Sequence, residues 1–425
     1  MSSAAIPQRF DIIVAGGGTA GSAAAIAAAR RGHKVLLVEE GNCLGGTSTA
    51  GGVSEWYAGL EGMGDIFDRV RTEMQRFGMA FGRYYNGEYL KIVWQLLAEE
   101  TGVTILFHSS LSGVRKQGRR VQAVSLLSCS QPLEVEADWF IDATGEGDLA
   151  ALAGAAFAQG DPEHGRTLHM SLVFILADSG RPVSPYLPAG LAPINSEDEL
   201  PGLHGGTRLP DGRVYCNMTK VMGHDPTDPL SLSEAEGEAR RQIARIVHFL
   251  QRTGFPTHEL VWSGAHIGIR EGRRITGDYV LSEADITGEH PRRVFADGVA
   301  VATCQIDFHS LTKPGHVGWR QRVEPYNIPL RCLIARDFDN LLIAGKCISG
   351  DQIAHSSYRM TPTCCGMGQA AGTAAALAFE SSASSVRDVE IGQLRSSLTE
   401  HGVELDPFKH AAFAPEVTPN RTLRE

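Results

Sequence analysis

The stretch Phe10-Asp-Ile-Ile-Val-Ala-Gly-Gly-Gly-Thr-Ala-Gly-Ser-Ala-Ala-Ala-Ile-Ala-Ala-Ala-Arg-Arg-Gly-His-Lys-Val-Leu-Leu-Val-Glu39 decides the fold. The apolar run from Phe10 to Ala15 reads as a buried parallel strand, and Lys34 to Val38 reads as a second one. Between them a Gly-x-Gly-x-x-Gly turn, Gly16, Gly18 and Gly21, opens an alanine-rich helix through Thr19 and Ala20. Gly16 permits the tight turn and Gly18 lets the backbone approach a pyrophosphate at the helix N-terminus. Gly21 and the alanines let helix and sheet pack closely. Glu39, with Glu40 beside it, ends the second strand 21 residues after Gly18, where a carboxylate accepts hydrogen bonds from a ribose. Glycine is common here, 48 of 425 residues, so the spacing alone means little. The two strands, the helix and the terminal acid together make it a dinucleotide fingerprint.

The rest of the chain is bounded more loosely. Its length allows two domains, or one large domain with an insertion. A net charge of −10 argues against nucleic acid or an anionic membrane as partner. No apolar run approaches the ~20 residues that span a bilayer, and Met1 to Arg9 lacks a signal core. Eight scattered cysteines without C-x-x-C pairs predict free thiols, no metal site and a cytoplasmic location.

Directly after Glu39, residues 41–52 form a second glycine- and hydroxyl-rich loop. Backbone amides at Gly45 and Gly46 and the hydroxyls of Thr47, Ser48 and Thr49 suit phosphate or ribitol oxygens; a plain flexible turn is the alternative. Cys43 stands alone, with no second cysteine in residues 44–52, which rejects a dithiol–flavin mechanism. Periodicity predicts helices over Asp65 to Phe77, Glu88 to Thr101 and Ser233 to Thr253, with Tyr84-Tyr-Asn-Gly as a surface turn. Strands are expected over Val103 to Phe107, then an antiparallel meander over Leu111 to Lys116, Arg120 to Ser128 and Leu133 to Ala137. A separate return strand follows, Trp139-Phe-Ile-Asp-Ala-Thr-Gly145, bringing Ala143, Thr144 and Gly145 to the ligand. That plan is the one used by FAD-binding halves. The fold class is therefore α/β: a Rossmann-like domain with a parallel sheet and β-meander, residues 1–160 and 325–405, carrying an inserted α+β substrate domain, 161–324. Residues 406–425 read as a tail. The Pro-, Gly- and Ser-rich segment Asp178 to Thr227 suits a lid or a substrate-domain insertion. Ala265 to Leu281 and Cys304 to His309 read as strands. Asn340-Leu-Leu-Ile-Ala-Gly345 is a further buried strand, and a helix from about Pro362 to Phe379 has Thr361 as its N-cap.

Several motifs in order resemble the FAD-dependent oxidoreductases of the glutathione-reductase-like superfamily: Gly16 to Gly21, Leu44-Gly-Gly-Thr-Ser-Thr-Ala-Gly, Ile141-Asp-Ala-Thr-Gly-Glu-Gly-Asp148, Arg270-Glu-Gly-Arg-Arg-Ile-Thr-Gly-Asp-Tyr-Val-Leu281, Tyr326-Asn-Ile-Pro-Leu-Arg331, Asn340 to Gly345 and Met360-Thr-Pro-Thr-Cys-Cys-Gly-Met-Gly-Gln. The resemblance spans about Asp11 to Leu377. It implies FAD as cofactor, Gly345 and Asp351 near its ribitol or pyrophosphate, and Thr363 and Cys364 at the flavin edge. There a helix N-terminus would favour negative charge on the reduced ring. It is nearly silent on substrate.

Flavin chemistry at a C–H bond needs a base and orienting donors. His355 is the first candidate base, with Tyr358 and Arg359 in the same loop, and His309 is the second. Arg270 and Arg331 could bind substrate or form structural ion pairs. Cys364-Cys365 could be redox-active at a helix N-terminus or simply packed. The expected activity is hydride transfer between a small organic molecule and flavin N5, with O2, NAD(P) or a redox protein as acceptor. A flavin monooxygenase using NAD(P)H and O2 is the alternative, and a structural flavin in an oligomer is a third reading.

Overall fold

The computed structural model describes residues 7–202, 206–209, 211–288, 293–315 and 318–415. Met1 to Ile6 and residues 416–425 of the expected tail lie outside them. Strand Arg9–Ala15 (β1) runs into helix Thr19–Ala29 (α1) and returns as strand Val35–Val38 (β2). Every residue of α1 is buried, so no polar face was needed; the helix is sandwiched on both sides. Helices Asp65–Arg76 (α2) and Gly87–Glu100 (α3) precede strands Thr104–Leu106 (β3), Ser109–Gln117 (β4), Arg120–Ser128 (β5) and Gln131–Asp142 (β6). The Tyr84-Tyr85 pair is a short strand rather than a surface turn: Tyr85 is fully buried, and Asn86 caps α3 by accepting from the Glu88 amide.

The first sheet has the order β3-β2-β1-β6-β5-β4. Strand β6 corrects the expectation of separate meander and return strands, because one twelve-residue strand does both jobs. Its first half, Gln131 to Glu136, pairs antiparallel with β5, while Glu136 to Asp142 pairs parallel with β1 on the other side. Beyond the meander, its last residues, Phe140 to Asp142, pair parallel with strand Leu341–Ile343 from 200 residues later in the chain.

The insertion builds a second sheet of Thr207–Arg208 (β7), Val214–Cys216 (β8), Phe174–Asp178 and His258–Ser263, in the order β7, β8, Phe174–Asp178, His258–Ser263, all antiparallel. Period-two alternation divides its faces. Phe174, Leu176, Val214 and Cys216 pack on helix Pro229–Thr253 (α4) through Ala239, Ile243, Ile246 and Leu250. Val173, Ile175 and Tyr215 face the other way, and Val173 and Tyr215 reach the cavity described below. Helix α4 begins four residues before Ser233, because Asp228 caps it by accepting from the Ser231 amide and Pro229 suits the first turn. The second core draws on residues between Met170 and Ile267, narrower than 161–324, since Ile275 to Val323 return to the first core.

The Ala265 to Leu281 segment is not one strand. Only Arg273–Ile275 pairs as one, and glycines there approach other backbone closely: a Cβ on Gly277 would stand 2.8 Å from Arg331 O. Strands Ile306–His309 (β9) and Gly318–Gln321 (β10) form a small hairpin. The chain ends its main body with Leu341–Ile343 (β11), Gln352–Tyr358 (α5) and Thr361–Glu380 (α6). Met360, not Thr361, is the N-cap of α6, and it offers no side-chain bond. Gly368 and Gly372 lie so close to the carbonyls of Ala20 and Ala24 that a Cβ on either would overlap them. This backbone-to-backbone crossing sets the start of α6 beside the start of α1.

Candidate active site

The C-terminal ends of β1, β2, β6 and β11 open on one cavity of about 850 Å³, the place where open α/β sheets bind ligands. Its floor is largely backbone. Gly16, at φ +90°, has no room for a side chain against Ala143 O, and a Cβ on Gly21 would overlap Gly16 O. Gly18 faces open space, with nothing within 4 Å of a Cβ. The first turn of α1 therefore presents its unpaired amides to an open cradle, as a pyrophosphate requires. Glu39 lines the cavity and accepts from the amides of Gly17 and Gly41, both at 2.7 Å. These bonds fix the carboxylate and leave its remaining lone pairs toward the cavity. Asp142, buried at the end of β6, accepts from Thr144 N, Thr144 Oγ1 and Ala150 N. Burial dominates and pushes its carboxyl up to about 6. It holds the loop that carries Thr144 and Gly145 to the cavity wall. The donor set and glycine cradle fit FAD.

Of the residues singled out in the sequence, Gly16, Gly18, Thr19, Ala20, Glu39, Glu40, Gly45, Gly46, Thr47, Ala143, Thr144, Gly145, Gly345 and Cys364 line this cavity. Gly21, Ser48, Thr49, Asp351 and Thr363 do not. Thr49 braces the second loop by donating to Leu44 O, and Asp351 caps α5 by accepting from Ala354 N. Thr363 is fully buried; Thr361, two residues earlier and on the opposite face of α6, reaches the cavity instead. Burial pushes the Cys364 thiol up to about 12, overriding the helix N-terminus, so both adjacent cysteines are packing residues rather than thiolates.

The candidate bases separate sharply. His355 is 1% exposed, does not line the cavity, and packs edge-on against Tyr358 at 5.6 Å. Tyr358 is also fully buried, donating to Ile348 O. Both point into the protein because α5 is buried along nearly its whole length. His309 lines the cavity, with Nε2 3.0 Å from Asp307 Oδ2. Arg320 Nε donates to Asp307 Oδ1 at 2.7 Å directly across the β9–β10 hairpin, and Arg359 Nη2 donates to Asp307 O at 3.2 Å. Burial opposes ionisation of Asp307, but His309, Arg359 and Arg320 together hold it well below the usual carboxylate range. Burial lowers His309 to about 4 despite the attraction of Asp307, with Arg270 and Arg359 adding to the shift. The pair is therefore carboxylate plus neutral imidazole at neutral pH. Donation from Nε2 to Asp307 leaves the Nδ1 lone pair as the acceptor.

The sequence reading passed over Asp307, although residues i and i+2 of a strand share a face, so Asp307 and His309 in Ile-Asp-Phe-His were a readable pair. It also passed over Lys220, Arg320, His169 and Tyr57, which line the cavity from distant segments with no local signal. Arg270 lines it too. Arg331 does not: it is paired with Asp297 through Nε at 2.8 Å and Nη2 at 3.1 Å and is a structural residue.

The sequence profile of the FAD dependent oxidoreductases matches residues 11–398. The chain belongs to that family. This FAD dependent oxidoreductase is an enzyme, FAD is its cofactor, and no helix among the described residues is long and apolar enough to cross a membrane. The glutathione-reductase-like branch named by the sequence resemblance is finer than this match reaches. Among solved structures it is similar to a geranylgeranyl bacteriochlorophyll reductase-like protein of Thermoplasma acidophilum, at 12% identity and a TM-score of 0.46 over 96% of this chain and 94% of that one. A myxobacterial chondrochloren halogenase gives 14% and 0.45 over 93% and 79%, and the flavin-dependent brominase Bmp2 gives 13% and 0.45 over 92% and 83%. A search of curated proteins found no match.

Proposed function

We propose that this FAD dependent oxidoreductase dehydrogenates a small organic substrate, moving a hydride from a C–OH, C–NH or C–C unit to the flavin while His309 accepts the accompanying proton. The Asp307–His309 pair on the cavity wall is the observation that carries this reading. A neutral, buried imidazole with one nitrogen tied to a carboxylate has the tautomer and the lone pair a general base needs. FAD, when bound, supplies the two-electron acceptor. Gly16, Gly18 and the first turn of α1 would hold its pyrophosphate, and Glu39 its ribose. The open first turn of α6, with Thr361 and Cys364 on the wall, adds partial positive charge. Tyr215 and Val173 contribute to the cavity wall from the second sheet. Reoxidation by O2, NAD(P) or a redox protein completes the cycle.

Anaerobic mixing of the holoenzyme with a panel of alcohols, amines and acids tests the reading. Bleaching of the flavin by a substrate without any nicotinamide is the expected result. Bleaching by NADPH only when an organic substrate is present would replace it with the monooxygenase reading. A flavin that no panel member or nicotinamide reduces would make FAD structural.

A further inference from the structure

The substrate end of the cavity is charged unevenly. Lys220, Arg270, Arg320 and Arg359 line it, against the carboxylates of Asp307 and Glu55. Asp307 is engaged by Arg320 and Arg359, and Glu55 lies 3.8 Å from Arg83. Arg270 and Lys220 have no such partner among the described residues. Arg270 spends only Nη1 on the protein, donating to His169 O at 3.2 Å and Ser171 Oγ at 2.7 Å. Its Nε and Nη2, the fork that fits a carboxylate edge-on, make no bond to the described residues. Lys220 is 4% exposed and gives Nζ to the carbonyls of Lys313 and Gly315 at 2.8 and 2.9 Å, neutral acceptors that leave its charge unbalanced. A second observation points the same way. His169, 6% exposed, and Asn217 both line the cavity, and His169 Nδ1 and Asn217 Oδ1 are buried without a partner. Buried polar atoms and buried charges are ordinarily paired, so both residues keep unused bonding capacity beside the cavity.

We propose that the substrate is a small organic acid, its carboxylate bound by the free edge of Arg270 with Lys220 supplying a second positive charge and His169 and Asn217 bonding its polar groups. The inference rests on the reading of the same cavity as the site of oxidation, and it names the substrate class. Arg270 is held by the inserted unit, through His169 and Ser171, whereas the glycine cradle for the pyrophosphate is at the start of α1. The FAD site and the carboxylate site are thus separable.

Binding can be measured apart from turnover. Oxidised holoenzyme is titrated with mono- and dicarboxylates, with inorganic phosphate and with the corresponding neutral alcohols and amines, following the flavin spectrum and the heat of binding. Acids should bind saturably and neutral analogues weakly. Arg270→Gln should keep its FAD and weaken acid binding by about 50-fold, with partial recovery in Arg270→Lys. Neutral analogues binding as tightly as acids, phosphate binding where no carboxylate does, unchanged acid affinity in Arg270→Gln, or loss of FAD from a folded Arg270→Gln would each overturn the proposal. Should Arg270→Gln not fold, Lys220→Gln replaces it, with about 10-fold weaker acid binding expected and no change overturning the idea. Acids that bind through Arg270 but never bleach the flavin would defeat the oxidation reading alone.

Discussion

The floor and the roof of the cavity are made in opposite ways. The floor, and the helix crossing that supports it, are shaped by backbone, and side chains matter by being absent: Gly16, Gly21, Gly368 and Gly372 each occupy a place where a Cβ would strike a carbonyl. On the roof the cavity wall is made by the ends of long polar side chains, Arg270, Lys220, His309 and Arg359, each held by hydrogen bonds to the protein. The floor is intolerant of added volume and indifferent to charge. The roof depends on charge and on how it is balanced.

That contrast can be broken in graded steps. Gly368→Val should have the largest effect, because a branched side chain must separate α6 from α1; a loss of about 3 kcal/mol or more and of FAD should appear in denaturation and in the flavin content of the purified protein. A folded variant with full FAD would show that the helix crossing is not what shapes the floor. On the roof, His309→Asn should leave FAD content intact and slow anaerobic flavin reduction by about 10²–10⁴-fold. An unchanged rate would remove the base from this position.

Acid sensitivity should track the buried histidines on both sides of the wall. Burial, reinforced by neighbouring cations, holds His169 and His355 well below the ordinary value and His309 at about 4. An unfolded chain takes up these protons as pH falls below about 6.5, while the folded chain does not. Stability contributed by the neutral forms is therefore complete above that pH and is lost on acidification, by about 1.4 kcal/mol per pH unit for each histidine, levelling for His309 near its folded value. Histidine ring resonances followed between pH 7 and pH 5 check this, since the raised carboxyls of Asp142, Glu40 and Glu146 pull the melting temperature the opposite way; rings that titrate in that range would mean the histidines are protonated in the folded state. Activity limited by His309 should correspondingly stay level down to about pH 5. The smallest effect belongs to His355→Leu. It removes a buried imidazole whose Nδ1 has no partner, so turnover should stay within about twofold and stability should hold or rise slightly. A large loss of turnover would restore the role expected from sequence.

The two histidines explain where sequence reading succeeds. His355 attracted attention because it sits between two flavin-site segments, yet nearness along the chain says nothing about which side of a short buried helix faces the ligand. His309 and Asp307 were legible as a same-face pair on a strand, and their meaning came from Arg320 across the hairpin and Arg359 on the loop before α6. The merged strand β6 was divided in the sequence reading because its partners change halfway, a switch in environment that composition does not announce.

Sequence by itself determined the glycine turn, the alanine helix and the acid at the end of β2, whose residues Gly16, Gly18 and Glu39 line the cavity. Those features depend on local backbone geometry over fewer than forty consecutive residues, and local geometry is written in residue spacing. Only the tertiary structure decided which charged groups face the cavity. Arg270, Lys220, His309 and Arg359 come from separate segments, and whether each is paired, buried or aimed into the cavity depends on partners far away in the chain.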